Sequence, residues 1–166
     1  MPRHIRYMRE PNSTFEVTTR TLQERFLLRP SRQVNDMILG VIGRALTLYP
    51  VLLHLIVVLS DHFHALLTAA DMKLISDFMC HVNSNIAREI GKLHGWQQKF
   101  WGKRFTEIDI LDKEKMIERT RYILSHGCKE GLVLRPGDWP GVKCYDALCR
   151  GEKLVCPWYN RTKEYE

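Results

Sequence analysis

Two histidines, His62 and His64, flank Phe63 in the stretch SDHFHALLT (60–68), and Tyr122 and His126 stand four residues apart in RTRYILSHG (119–127). Neutral imidazole is a good ligand for first-row metals, and two of them on one face can share an ion. A phenol beside such an ion can attack a phosphodiester. The metal polarises a phosphoryl oxygen, the tyrosine oxygen displaces the leaving group, and the covalent intermediate stores the bond energy for later rejoining. If the two segments meet, His62, His64 and His126 make one three-imidazole metal site with Tyr122 next to it. The spacings also admit plainer readings. His62 and His64 suit a pair of hydrogen-bonded structural histidines; Tyr122 suits an amphipathic helix, and His126 a helix C-terminus favoured by the dipole.

The elements that position these residues follow from periodicity. VLLHLIVVLS (51–60) is rich in Val, Ile and Leu and reads as a strand, continued after a turn near Ser60–Asp61 by a second strand over 62–68. Residues two apart in a strand share a face. His62 and His64 therefore sit side by side, while Phe63 and Ala65 point into a core. FEVTTR alternates Phe15, Val17 and Thr19 with Glu16 and Thr18, a third strand. SRQVNDMILGVIGRALTLYP (31–50) is an amphipathic helix with a Ser31 start and a Pro50 stop, and 71–95 is a second, closed by Gly95. A strand over 104–110 precedes a third helix over 111–127, with Asp112 as N-cap and Gly127 as its stop. The order strand–helix–strand–strand–helix–strand predicts an α+β, ferredoxin-like split βαβ fold with a four-stranded antiparallel sheet. The third helix is an addition that must pack elsewhere, and the rest is a loop-rich tail.

Composition bounds the partners. The chain has 166 residues and a formal charge of +6 from 25 Lys and Arg against 19 Asp and Glu, a balance that suits a polyanion such as nucleic acid. No stretch is long and apolar enough for a membrane span. Five cysteines without a CxxC pair read as reduced thiols of a cytoplasm. Cys128, Cys144, Cys149 and Cys156 crowd the tail at irregular spacings, which leaves a structural zinc site there as an option.

VVLSDHFHALL (57–67), FWGKRFTEIDILDKEKMIERTRYILSHGCKEGLV (100–133) and WPGVKCY (139–145) together resemble the single-tyrosine HUH transposases, and within them the REP-associated tyrosine transposase-like group. The resemblance runs from about residue 14 to about 150. It implies a basic arm over 1–13, a catalytic domain over 14–127 and a loop-rich extension over 128–166 whose ending, WYNRTKEYE, reads as a fragment of something longer. It implies that His62 and His64 are the paired metal ligands and that Tyr122 becomes linked to a DNA 5′ phosphate, leaving a free 3′ hydroxyl. The substrate is then single-stranded DNA with a nearby hairpin, the ion Mg²⁺ or Mn²⁺, and the setting the nucleoid of a prokaryotic cytoplasm. Relatives of this kind act as homodimers or as monomers. Two residues depart from the pattern: Asp61 stands where Asn commonly precedes the first histidine, and His126 stands where Gln or Asn is common. The imidazole of His126 is a softer ligand than an amide oxygen and tilts the site toward Mn²⁺ or Zn²⁺.

WQQKFWGKRF (96–105) interleaves rings with cations, so Trp96, Phe100, Trp101 and Phe105 are candidates to stack bases and Lys99, Lys103 and Arg104 to hold phosphates. Core packing accounts for Trp96 and Phe105 as well as stacking does. Arg119 and Arg121 flank Tyr122 and are further phosphate candidates, with Lys129 beyond them; Arg88 and Lys92 extend a basic helix face; Arg3, Arg6 and Arg9 form the arm. A competing expectation is a DNA-hairpin-binding protein or repressor, descended from an enzyme and catalytically silent. A small RNA-binding protein is a third, but it calls for aromatics on the face that His62 and His64 occupy.

Overall fold

The computed structural model describes residues 7–157. Arg3 and Arg6 of the expected arm and the closing WYNRTKEYE lie outside the described residues; Arg9, within them, pairs with Asp109 at 3.7 Å. The elements in chain order are β1 (Thr14–Arg20), α1 (Arg32–Leu48), β2 (Leu52–Val58), β3 (His62–Thr68), α2 (Met72–His94), β4 (Thr106–Ile110), α3 (Lys113–Leu124), α4 (His126–Lys129) and α5 (Tyr145–Arg150). All three strand pairings are antiparallel, in the order β2-β3-β1-β4. This is the expected split βαβ sheet. No helix among the described residues is long and apolar enough to cross a membrane.

Local chemistry sets the helix starts. Ser31, Asp71 and Asp112 each accept a hydrogen bond from the backbone N–H three residues on, and so satisfy an otherwise orphaned donor of α1, α2 and α3. Gly95 closes α2 at φ 63°, a conformation that glycine adopts at little cost. The third helix is shorter than its periodicity suggests. It ends at Leu124, and His126 opens the separate one-turn α4 after Ser125. Gly127 is thus no helix stop; it is buried inside α4, where a Cβ would meet Val133 at 3.3 Å. β4 begins at Thr106, which leaves Arg104 and Phe105 in the loop before it.

The sheet is covered on both faces. α1 and α2 pack on one, where Phe15, Val17, Phe63, Ala65 and Leu67 meet Ile38, Ile42, Ile75 and Ile86. The second face, with Leu55, Val57 and Leu66, is covered by Ile123 of α3 and by Trp139 and Cys144 of the tail. The tail is therefore part of the fold. Val58 N–H donates to the Val142 carbonyl at 2.9 Å, and the Trp139 indole N–H donates to the Val58 carbonyl at 2.8 Å.

Gly141 explains why the tail reads WPGVK. A Cβ there would stand 2.8 Å from the Val58 carbonyl oxygen and 2.4 Å from Trp139 Nε1. Neither neighbour is the free end of a flexible chain. We expect Gly141→Ala to cost about 1–3 kcal/mol, seen as a lower urea midpoint with an unchanged slope. An unchanged midpoint would mean that the tail is not seated on β2.

A three-histidine centre beside Tyr122

The period of two in β3 turns His62 and His64 toward the second face, and the covering of that face by α3, α4 and the tail buries them. His62, His64 and His126 are 2%, 6% and 4% exposed. Their candidate ligand nitrogens all lie within 4.8 Å of one another, and His62 Nε2 is 2.9 Å from His126 Nε2. The Tyr122 ring is 5.8 Å from that of His64 and 5.1 Å from that of His126, centre to centre. All four come from one chain. The three histidines make up the one cluster of potential metal ligands among the described residues. The cysteine site left open by the tail does not form: Cys144 is buried with its Sγ 3.4 Å from the Ile56 N–H, while Cys149 is exposed.

Two carboxylates orient the imidazoles: Asp61, the departure from the pattern noted above, and Glu16, which the motif reading passed over. His62 Nδ1–H donates to Asp61 Oδ1 at 2.6 Å, and His64 Nδ1–H donates to Glu16 Oε1 at 2.9 Å, with the Thr18 hydroxyl also 2.9 Å away. A proton held on each Nδ1 leaves the Nε2 lone pair for a metal, the usual role of such outer partners. His64 Nε2 is buried and has no hydrogen-bond partner, and an ion would satisfy it. The donor set fits a divalent transition metal.

The charges are consistent with that use. Burial, and then the nearby imidazoles of His64 and His62, push His126 down to about 4, so it is a neutral ring, able to ligate, at neutral pH. Burial also lowers His64, against the opposing pull of Glu16. Burial pushes Glu16 up, but hydrogen bonds from His64 and Arg119 outweigh it and hold the carboxyl below its ordinary value. For Asp61, burial is likewise outweighed, by the His62 hydrogen bond and the charge of Arg20.

Glu16 also reaches the tyrosine helix. Arg119 donates to both of its carboxylate oxygens, through Nη2 at 2.9 Å and through Nε. The guanidinium carbon of Arg119 lies 4.1 Å from the centre of the Tyr122 ring, and Lys129 Nζ lies 4.2 Å from it. Arg119, expected at a phosphate, is thus engaged with Glu16 and Tyr122. Arg121 is exposed.

The 96–105 segment divides. Phe100 and Phe105 are buried, and Trp96 is half-buried with the guanidinium of Arg25 5.2 Å from its ring centre. Trp101 is half-buried; its indole N–H donates to the Asn83 carbonyl at 2.8 Å and its ring meets Phe63 edge-on at 5.9 Å. Lys99 donates to the Gly102 carbonyl at 2.9 Å, whereas Lys103 and Arg104 are exposed and form no ion pair with another described residue.

Neither a scan of protein-family models nor a search of curated proteins finds a match. Among solved structures, the chain is similar to the REP-associated tyrosine transposase bound to a REP hairpin, with a TM-score of 0.75 and 20% identity over 96% of this chain and 93% of that one. It is also similar to a candidate transposase from Deinococcus radiodurans R1, with a TM-score of 0.50 and 18% identity over 74% of this chain and 94% of that one. The chain therefore has a REP-associated tyrosine transposase-like fold, and it is on the second face of this sheet that three histidines and one tyrosine meet.

Proposed function

We propose that the protein cleaves and rejoins single-stranded DNA through a 5′-phosphotyrosine at Tyr122, with a divalent metal held by His62, His64 and His126. The observation that carries this is the convergence of the three buried imidazoles with the tyrosine ring 5.8 Å from His64. The likeness to a hairpin-bound transposase supports DNA as the substrate, with a hairpin near the cleavage site. The net charge of +6 supports the same polyanion. On this reading the protein works at prokaryotic DNA in the cytoplasm, and residues 14–150 form one catalytic unit that the tail completes.

When bound, the metal polarises a phosphoryl oxygen and offsets the charge that develops on it. The chain supplies the rest. Asp61 and Glu16 fix the His62 and His64 rings through their Nδ1 protons. Tyr122 Oη forms a bond to phosphorus as the bond from phosphorus to the 3′ oxygen breaks. One proton leaves the phenol and one is taken up by the departing 3′ oxygen. Attack by another 3′ hydroxyl reverses the step and joins new ends. Because one chain provides all four groups, chemistry needs no partner subunit. Three nitrogen donors suit Mn²⁺ or Zn²⁺ better than Mg²⁺, which favours oxygen.

The test is covalent capture. Labelled single-stranded DNA carrying a hairpin is incubated with the protein and Mn²⁺, Mg²⁺ or Zn²⁺, then run under denaturing conditions. We expect an adduct that needs metal and is strongest with Mn²⁺. Hairpin binding without any adduct across a broad panel of hairpins would favour the silent, DNA-binding descendant.

A further inference from the structure

A cleft of about 550 Å³ opens beside the metal centre, between the β1–α1 connection and the segment that leads into β4. Thr18 and Thr106, paired across β1 and β4, contribute to it. It is continuous with the centre through two of its residues. The Thr18 hydroxyl touches His64 Nδ1, and Arg20 pairs at 3.1 Å with Asp61, the carboxylate that holds His62. Lys103 and Arg104 line the same cleft, exposed and without an acidic partner among the described residues. These are phosphate-binding groups one step from the place of reaction.

The other lining residues are not what a simple phosphate groove needs. Gln23 and Glu24 line the cleft from consecutive left-handed positions, at φ 55° and 56°, and Gln23 Oε1 accepts from Arg25 at 3.3 Å. Non-glycine residues pay for that conformation, and such outliers cluster where side chains must meet a ligand. Glu24 stays largely in solvent, 69% exposed, with Arg20 3.7 Å away. A carboxylate in a nucleic-acid cleft repels phosphate, but it accepts hydrogen bonds from base N–H groups, and the Gln23 amide NH2, with its oxygen held by Arg25, can donate to a base acceptor.

We propose that this cleft is a base-reading site. It takes one unpaired nucleotide next to the scissile phosphate, with Arg20, Lys103 and Arg104 on the backbone and Gln23 and Glu24 on the edge of a base that carries an exocyclic amino group. Thymine, which has no such group, is disfavoured. The inference rests on the strand-transfer reading for the direction of the strand, but the chemistry of recognition is independent of cleavage.

Equilibrium binding separates the two. The full chain carrying Tyr122→Phe is titrated without metal against dT12 and against dT12 with one central base changed to dA, dC or dG, read by fluorescence anisotropy. We expect at least one substituted probe to bind about tenfold more tightly than dT12. Glu24→Ala or Gln23→Ala should remove that preference, and Glu24→Gln, which keeps the shape, should weaken it. The double variant Lys103→Ala/Arg104→Ala should weaken all four probes alike and flatten the salt slope by about 1.4. Equal affinity for all four probes, or a preference that survives both alanine variants, overturns the proposal. Failure of the strand-transfer reading shows elsewhere, as the absence of an adduct from the wild-type protein.

Discussion

Tyr122→Phe should abolish the covalent adduct, by more than about 1000-fold, while leaving the fold, metal uptake and DNA binding nearly unchanged. The substitution removes one oxygen, and that oxygen makes no hydrogen bond with another described residue. What holds the ring is its face and edge: Arg119 and Lys129 lie about 4 Å from its centre, at 4.1 and 4.2 Å, and His64 and His126 meet it edge-on. Phenylalanine keeps those contacts, so stability should change by less than about 0.5 kcal/mol. The rise in melting temperature with saturating Mn²⁺ should also match the wild type, because no ligand is touched. This pairing of results is what distinguishes a nucleophile from a structural aromatic. An adduct that persists in the phenylalanine variant would move the attacking group elsewhere and end the Tyr122 assignment.

Sequence patterning revealed the strands, the helices and the residues with motif character, because each rests on local chemistry. His62 and His64 share a face by the period of two alone, and Ser31, Asp71 and Asp112 cap helices within three residues of themselves. Tyr122 and His126 could be paired by spacing, although the backbone between them breaks at Ser125, a change too small for periodicity to register. Glu16 was illegible. Between Phe15 and Val17 it reads as the solvent-facing member of a half-buried strand, yet it is 0% exposed. Its burial depends on α3 and the tail, more than 90 residues away in the chain, folding over the second face. Only one signal pointed there. An added helix needs a surface, and the free face of the sheet, once covered, must bury whatever β1 presents: Glu16 and Thr18. The partner of Arg119 was hidden for the same reason. A cation beside a candidate nucleophile suggests a phosphate until its buried carboxylate is known.

Glu16 carries the second large effect. Its carboxylate is shared by His64, a candidate metal ligand, and by the helix that bears the tyrosine, so its loss should damage stability and metal binding together. Glu16→Ala leaves the Arg119 side chain, 15% exposed, without its counter-ion and leaves His64 Nδ1 with Thr18 alone. Breaking a buried pair in this way costs about 3–5 kcal/mol, which for a domain of this size lowers the melting temperature by roughly 10 °C. Glu16→Gln retains the shape and can still accept from one partner, so it should fold with a smaller loss. Its metal affinity should nonetheless fall about 10–100-fold, because an amide orients and polarises the imidazole less well than a carboxylate. The pH dependence has a definite sign. Glu16 is held below its ordinary value of 4.5, so the unfolded chain takes up the proton first. The contribution to stability is complete above pH 4.5 and declines as the pH falls below it. The glutamine variant lacks that part of the acid transition, and the difference between the two denaturation curves should shrink as the pH falls. Adding Arg119→Met to Glu16→Ala should recover part of the lost stability, since the stranded cation goes with its partner. If instead Glu16→Ala unfolds within about 0.5 kcal/mol of wild type, the carboxylate does not link α3 to the metal ligands, and the alignment of Tyr122 must come from the apolar packing around Ile123.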